Sequence, residues 1–385
     1  MKKVRRVFLS PLWLLLSVPG YLGWRLLPAL ADGPLGTAVG IMLLLAVVVF
    51  IPLSIRIRHV RRQKLADALA WLGYTAMGFF STLFVLTLLR DAALLCVRWL
   101  VSTARFAALT SASAHGVMVL ALASTAVGLA VARRPRLVHV DVPIERLPDG
   151  LHGFSIAQLS DVHVGPTIKG GFVQKLVDRV NGLRADLIAV TGDLVDGSVP
   201  QLTRHTAPLA GLAARHGAYF VTGNHEYYSG EHAWTREIRR LGLTVLKNEH
   251  VVLDHGGVPV VLAGVTDVGA HHFDSAQRSD PVAALAGAPR GAVRILLAHQ
   301  PSSAAAAADA GFDLQLSGHT HGGQFWPWNL FIRYFQPFSS GLHRLKNLMV
   351  YVSSGSGYWG PPNRFGVPAE ITRLRLVPAT TSSSI

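Results

Sequence analysis

The sequence predicts an α/β domain preceded by an all-α, membrane-spanning region. Three observations carry this reading. The first 137 residues alternate long apolar runs with basic clusters. From about residue 150, short apolar strands alternate with helical stretches. Five of those strands end in a small polar signature.

The chain has 385 residues, enough for about two domains. Its formal net charge of +14 would suit a nucleic-acid or anionic-lipid partner. The distribution decides between them. Residues 1–137 hold 16 basic and 3 acidic side chains, whereas 138–385 hold 20 and 19. The excess belongs to the N-terminal third, so no nucleic acid is expected as a partner. Cys96 is the only cysteine, so no intrachain disulfide forms and cysteine usage is silent on compartment.

Residues 1–137 read as a membrane domain of about four helices, over 8–30, 35–55, 68–89 and 111–132. Each is near the ~20 residues that cross a hydrocarbon core. Pro19, Gly20 and Arg25 interrupt the first, and a signal peptide would account for that span alone. Trp13 and Trp24 suit interfacial anchoring. Lys2, Lys3, Arg5 and Arg6 precede span one, and Arg56, Arg58, Arg61, Arg62 and Lys64 follow span two. Arg133, Arg134 and Arg136 follow span four. The positive-inside rule then places both termini in the cytoplasm of a multi-pass plasma- or inner-membrane protein. The segment 91–110 leaves this open: as an interfacial helix it changes nothing, as a fifth span it moves the C-terminal domain outside. Asp32, Asp67 and Asp91 lie near span ends, which gives no support to a metal-transporting helix bundle.

Residues 138–379 read as the α/β domain and 380–385 as a disordered tail. Residues 138–142 alternate as an edge strand does, and 143–150 are turn-rich. Strands follow at 154–159, 186–191 and 218–222, with helices at 171–183 and 201–216 between them. Later strands are expected at 244–247, 251–253, 258–263, 294–298, 312–316, 348–353 and 371–376, and a helix at 304–308. Alternation of this kind places helices on sheet faces. The adjacent late strands suggest that part of the sheet is antiparallel or mixed.

Ligands in such sheets gather at the carboxyl ends of strands. Here those ends carry Ser160-Asp161-Val162-His163, Gly192-Asp193, Gly223-Asn224-His225-Glu226, His299-Gln300-Pro301 and Gly318-His319-Thr320-His321. Taken singly, Asp161 and Asp193 could be caps, Asn224 a turn residue and His299 a satisfied polar group. Jointly they deliver carboxylate, imidazole and amide oxygen to one rim, a set suited to Mn²⁺, Fe²⁺ or Zn²⁺. Seven ligands exceed what one metal with an open position needs, and fit two metals sharing a carboxylate.

The order DxH, GD, GNHE, H, GHxH resembles the calcineurin-like metallophosphoesterase family, in a membrane-anchored bacterial-type member, over residues 150–375. The resemblance implies a four-layer α/β/β/α sandwich. It implies that Asp161, His163 and His321 bind one divalent metal, that Asn224, His299 and His319 bind a second, and that Asp193 bridges them. His225 would face the substrate, stabilising phosphoryl charge or protonating the leaving oxygen, and Glu226 would orient an imidazole. The implied reaction is hydrolysis of a phosphomonoester, phosphodiester or pyrophosphate by a metal-bridging hydroxide. A lipid-linked or envelope substrate is attractive by analogy. The alternative is a catalytically silent membrane scaffold or sensor that retains the fold; presence of all seven ligands speaks against it. Oligomeric state is not legible.

Tyr227 and its neighbour Tyr228, His271 with His272 and Asp267, and Arg364 are candidate substrate contacts; Arg364 offers a bidentate phosphate fork. The aromatic run 324–338 is either a packed cover over the sheet or a membrane-facing lip that admits an amphipathic substrate.

Overall fold

The computed structural model describes residues 11–56 and 62–379. Lys2, Lys3, Arg5, Arg6, Arg58, Arg61, the first residues of span one and the tail from 380 lie outside the described residues. The described chain forms two compact units. One comprises the helices through Ala130 together with Gly360–Phe365; the other runs from Val131 to Trp359 and resumes at Gly366.

The first unit contains α1 (Pro11–Leu30), α2 (Gly33–Ile55), α3 (Gln63–Val97) and most of α4 (Thr103–Ala132). Among the described residues α2, α3 and α4 are long and apolar enough to cross a membrane. The described part of the first helix is not among them; it carries Arg25 and has Pro19 and Pro28 inside it. Segment 91–110 is no separate span: it is the end of α3, a turn, and the start of α4. Asp91 is therefore inside a helix, and it is compensated there. Arg25 donates to its two oxygens at 2.6 and 2.8 Å, Tyr21 at 2.5 Å and Arg90 at 2.8 Å, the pairing that an acid in an apolar setting requires. Gly360–Phe365 packs among these helices. The Arg364 N–H donates to the Gly128 carbonyl at 3.1 Å. A Cβ on Gly128 would fall 1.8 Å from Asn363 Oδ1, so only glycine admits that contact.

In the second unit twelve strands form two six-stranded sheets, ordered β1-β12-β2-β3-β4-β5 and β10-β11-β9-β8-β7-β6. The first sheet contains β1 (Arg136–Ile144), β2 (Ser155–Leu159), β3 (Leu187–Val190), β4 (Ala218–Phe220), β5 (Thr244–Val245) and β12 (Glu370–Pro378). The second contains β6 (Glu249–His255), β7 (Val258–Gly264), β8 (Val293–Leu297), β9 (Leu314–Ser317), β10 (Gly341–Leu345) and β11 (Leu348–Val352). Both sheets are mixed: β2, β3 and β4 pair in parallel, as do β7, β8 and β9, whereas β12 pairs antiparallel to β2.

Strand alternation builds the layers. Ile156, Leu187, Leu262, Ile295, Leu314 and Leu374 share one core between the sheets. The alternate residues Ala157, Ile188 and Phe220 pack outward on α5 (Gly170–Gly182) and α8 (Glu231–Arg240), through Val173, Leu176, Val177, Trp234 and Ile238. Ala263, Leu296 and Val350 pack outward on Ala304 and Ala307 of α10 (Ala304–Ala310). The result is the α/β/β/α sandwich. Because Ile156 is fully buried between the sheets, Ile156→Ala should lower unfolding stability in detergent by about 2–5 kcal/mol. A loss under about 1 kcal/mol would mean that the inter-sheet core relaxes around the cavity.

The helix expected over 201–216 is shorter. It runs as α6 (Val199–Thr206), tightens into a 3₁₀ turn at Ala207–Gly211, and ends. Pro208 supplies no N–H for a continuing α-helical bond. Two short helices, α7 (Asn224–Ser229) and α9 (Pro281–Ala284), complete the unit.

Candidate metal centre

Each ligand candidate sits just beyond the carboxyl end of a strand. Asp161 and His163 follow β2, Asp193 follows β3, and Asn224 and His225 open α7 after β4. His299 follows β8, and His319 and His321 follow β9. Three strands come from one sheet and two from the other, so the cluster straddles the sandwich. Backbone pairing continues past the strands: the Asp161 N–H donates to the Gly192 carbonyl at 3.0 Å and the His163 N–H to the Asp193 carbonyl at 3.1 Å. Five of these residues hold a left-handed backbone, with φ of 53° at Asp161, 53° at His163, 51° at Asp193, 70° at His319 and 50° at His321. Such strain costs of order 1–3 kcal/mol per residue and clusters at functional sites. Gly318 is needed for the approach of β9 to β2, since a Cβ there would lie 1.9 Å from Ser160 Oγ and 2.1 Å from Asp161 Oδ2.

Among the described residues the side chains converge in three overlapping groups, one of which joins His163, Asp193 and His225. Asp161, His163 and His321 present ligand atoms within 4.8 Å of one another, and so do Asp193, His299 and His319. His163 Nε2 and His321 Nε2 face each other at 3.0 Å, and His319 Nδ1 lies 3.2 Å from His299 Nε2. Hydrogen bonds on the opposite ring atoms set the tautomers. His299 Nδ1 donates to the Thr191 carbonyl at 2.8 Å, which can only accept, so a neutral ring turns its Nε2 lone pair toward Asp193 Oδ2 at 3.2 Å. His163 Nδ1 faces Asp196 Oδ1 at 3.2 Å, which leaves its Nε2 for the cluster. Lone pairs aimed at lone pairs and at a carboxylate require a proton or a cation between them. Asn224 Oδ1 is the decisive atom: it is buried with no hydrogen-bond partner. An orphaned buried acceptor costs about 1–3 kcal/mol, and a divalent cation held with His299 and His319 would satisfy it. The residues present therefore fit two divalent ions.

Asp193 lies between the groups. Its Oδ2 is 3.2 Å from His299 Nε2 and 3.9 Å from His163 Nε2. Burial would raise its carboxyl, but when His299 carries a proton on Nε2 instead of a lone pair, its charge and hydrogen bond hold the Asp193 carboxyl well below the ordinary range. His225 joins His163 and Asp193 in the third group and lies outside the other two. Its Nδ1 is 2.5 Å from Asp196 Oδ1, and its Nε2 is 3.9 Å from Asp193 Oδ2. Burial alone would lower its pKa, but the Asp196 hydrogen bond and the charges of Asp193 and Asp196 outweigh it and raise it to about 9.

Sequence reading missed Asp196. Its Oδ1 faces both His163 and His225, and those rings hold its carboxyl below the usual range against the opposing effect of burial. The only signal was a second acid three residues past Asp193. Asp196→Asn should weaken metal binding by about 10–100-fold, as loss of a partner that orients a ligand histidine does. Metal titration of the stripped protein measures this, and an unchanged affinity would remove Asp196 from the metal-orienting role.

Glu226 acts differently from expectation. Its carboxylate accepts the N–H groups of Asp193 at 3.0 Å, Leu194 at 2.8 Å and Gly223 at 2.7 Å. It braces the β3 and β4 loops rather than an imidazole. Burial, then the charge of Asp193, raises its pKa to about 8. Tyr227, expected at the substrate, is buried, and its hydroxyl donates to Gln277 at 2.9 Å. Tyr228 is the ring beside His225, at 5.2 Å. His271 forms a 3₁₀ turn with its Nδ1 on the Val268 carbonyl at 2.9 Å, and Asp267 pairs with Gln300 at 2.9 Å. Arg364 is fully buried and groups with the helical unit.

Residues 154–323 match the family model for calcineurin-like phosphoesterases. Over 272 residues the chain is 38% identical to a zebrafish (Danio rerio) protein named "Transmembrane protein with metallophosphoesterase domain", covering 67% of this chain and 62% of that one. Over 247 residues it is 38% identical to an uncharacterized metallophosphoesterase of Helicobacter pylori, covering 64% and 65%. It thus spans somewhat under two thirds of those two relatives. An uncharacterized metallophosphoesterase of Aquifex aeolicus is 31% identical over 238 residues, 61% of this chain and 89% of its own length. With the five motif blocks, the two-sheet sandwich and these relatives in agreement, the chain belongs to the calcineurin-like phosphoesterase family.

Proposed function

We propose that this chain is a membrane-anchored phosphoesterase that uses two divalent metal ions to hydrolyse a phosphomonoester, phosphodiester or pyrophosphate bond of a lipid-linked substrate. The unpartnered Asn224 oxygen, set against two histidine–carboxylate trios, carries the reading. Asp161, His163 and His321 would hold one ion, and Asn224, His299 and His319 the other, with Asp193 shared. The ions would supply Lewis-acid polarisation of the phosphoryl oxygens and an activated water. The chain's own contribution is placement. Asp196 fixes the His225 ring so that Nε2 faces the rim beside Asp193. From there its N–H can donate to a phosphoryl oxygen or protonate the departing oxygen.

Support for a lipid-linked substrate comes from two features. Among the described residues three helices are long and apolar enough to cross a bilayer. In the catalytic unit the run after His321 is buried only at its start: Phe325 is buried, whereas Trp328, Leu330, Phe331, Tyr334 and Phe335 are exposed. Trp, Tyr and Phe clustered at a surface suit the bilayer interface, which favours the lip over the packed cover. The basic residues Arg56, Arg62, Lys64, Arg133, Arg134 and Arg136 favour a cytoplasmic face for the catalytic unit. Protease accessibility in sealed vesicles reads the side, and protection of the unit in right-side-out spheroplasts but cleavage in inverted vesicles is expected.

The test of activity uses the full chain in lipid nanodiscs, stripped of metal and reloaded with Mn²⁺, Fe²⁺ or Zn²⁺. Metal-dependent release of product from a lipid phosphoester, exceeding that from a soluble one, is expected. Hydrolysis of no monoester, diester or pyrophosphate with any of these metals would reject the phosphoesterase reading. Activity on soluble substrates alone would reject its lipid-linked part.

A further inference from the structure

His225 is walled by exposed aromatic side chains that the metal centre does not use. The Tyr228 ring stands 5.2 Å from the His225 ring and the Trp359 ring 5.6 Å from it, both edge-on. Phe273 extends the surface, 5.7 Å from Tyr228. These three side chains are 53%, 55% and 54% exposed for Tyr228, Phe273 and Trp359, beside a centre whose ligands are largely buried. They are also held in place. Tyr227 supports Phe273 at 5.6 Å, and its own hydroxyl is fixed by Gln277. Trp359 is clamped through its backbone: the Gln324 amide donates to the Trp359 carbonyl at 2.9 Å and accepts its N–H at 2.9 Å. Gln324 takes a left-handed φ of 63° to do so, directly after the His321–Gly323 turn.

Half-exposed aromatics that are rigidly supported mark a surface covered in use. Their place beside His225 puts them where the group on the departing oxygen would lie. We propose that Tyr228, Phe273 and Trp359 form the subsite for a hydrocarbon chain carried on the leaving oxygen of the phosphoester, with Gln324 as the positioning residue that sets Trp359. The inference rests on the phosphoesterase reading. A hydrocarbon is favoured over a planar base because the same chain carries membrane-compatible helices and a second exposed aromatic cluster at Trp328, Phe331, Tyr334 and Phe335.

Ethyl phosphate and octyl phosphate, each also as its methyl diester, are leaving groups of nearly equal acidity that differ in apolar length. The metal-loaded full chain should cleave the octyl member with a kcat/KM about tenfold or more above the ethyl member, since each buried methylene adds affinity. Trp359→Ala and Tyr228→Ala should collapse that ratio toward unity, while Trp359→Phe and Tyr228→Phe preserve most of it. Gln324→Ala should raise KM for the octyl ester with a smaller effect on kcat; misfolding would instead lower kcat for both esters alike. Equal wild-type rates on the two esters would overturn the subsite. A preference for adenosine monophosphate, lost in the same alanine variants, would overturn the hydrocarbon assignment in favour of a base. If the wild type cleaves neither ester nor any other phosphoester, the phosphoesterase reading falls and this inference with it.

Discussion

Asp193→Asn is expected to lower metal-dependent hydrolysis by about 10³-fold or more, and to reduce bound metal from two ions per chain. The size follows from the number of functions that one carboxylate combines. Its Oδ2 faces His299 Nε2 at 3.2 Å and both His163 Nε2 and His225 Nε2 at 3.9 Å. Its Oδ1 accepts the His225 backbone N–H at 2.9 Å. Asparagine keeps the volume and one acceptor, so the loop stays folded under its Glu226 brace. What it loses is the negative charge shared by the two ligand groups. Two divalent ions held by these groups would repel each other in a buried setting, and without the Asp193 charge to offset this, metal binding would weaken. Metal analysis after desalting and hydrolysis of an aryl phosphate with Mn²⁺ are the measurements. Full activity with two ions retained would remove Asp193 from the bridging role.

The metal-binding blocks were legible because chemistry and position coincide there. Short strands of full burial, such as β2 and β3, read as continuous apolar runs, and the polar residues after them stand out in type. Glycine before Asp193, Asn224 and His319 marks the tight backbone. Residues whose roles arise from tertiary approach were not legible. Asp196 looks like any acid after a turn; only the fold brings His163 and His225 to the same oxygen. Tyr227 and Tyr228 are adjacent in sequence, and the α-helical turn of α7 sends one into the core and the other to the surface. Strand β10 escaped notice because it is only half buried and carries His343 and Arg344. Gly360–Phe365 has no periodicity, so its packing among helices far away in sequence left no pattern to read. Segment 91–110 was ambiguous because Arg90 and Asp91 resemble loop charge, whereas mutual pairing lets both stay inside α3.

His225→Ala should slow cleavage of an alkyl phosphate by about 10²–10⁴-fold, the range for removal of a positioned proton donor. The effect should depend on the leaving group. An alkoxide departs poorly without a proton, whereas a nitrophenolate departs readily, so the loss on nitrophenyl phosphate should be much smaller. This contrast separates proton donation from charge stabilisation of the phosphoryl group, which would weaken both substrates equally. His225 is not among the proposed ligands, although it shares one of the three groups with His163 and Asp193, so metal content should stay unchanged and a loss of metal would make it a ligand. Asp196 supplies the second half of the test. It orients His225 through a 2.5 Å contact and His163 through a 3.2 Å contact. If its effect on rate runs through His225, the double variant with Asp196→Asn should be only slightly slower than His225→Ala alone, because groups acting as a unit are non-additive. Full additivity would instead assign the Asp196 effect to metal binding by way of His163. Equal losses on alkyl and aryl substrates would leave His225 as a phosphoryl-binding group and take the proton-donor role from it.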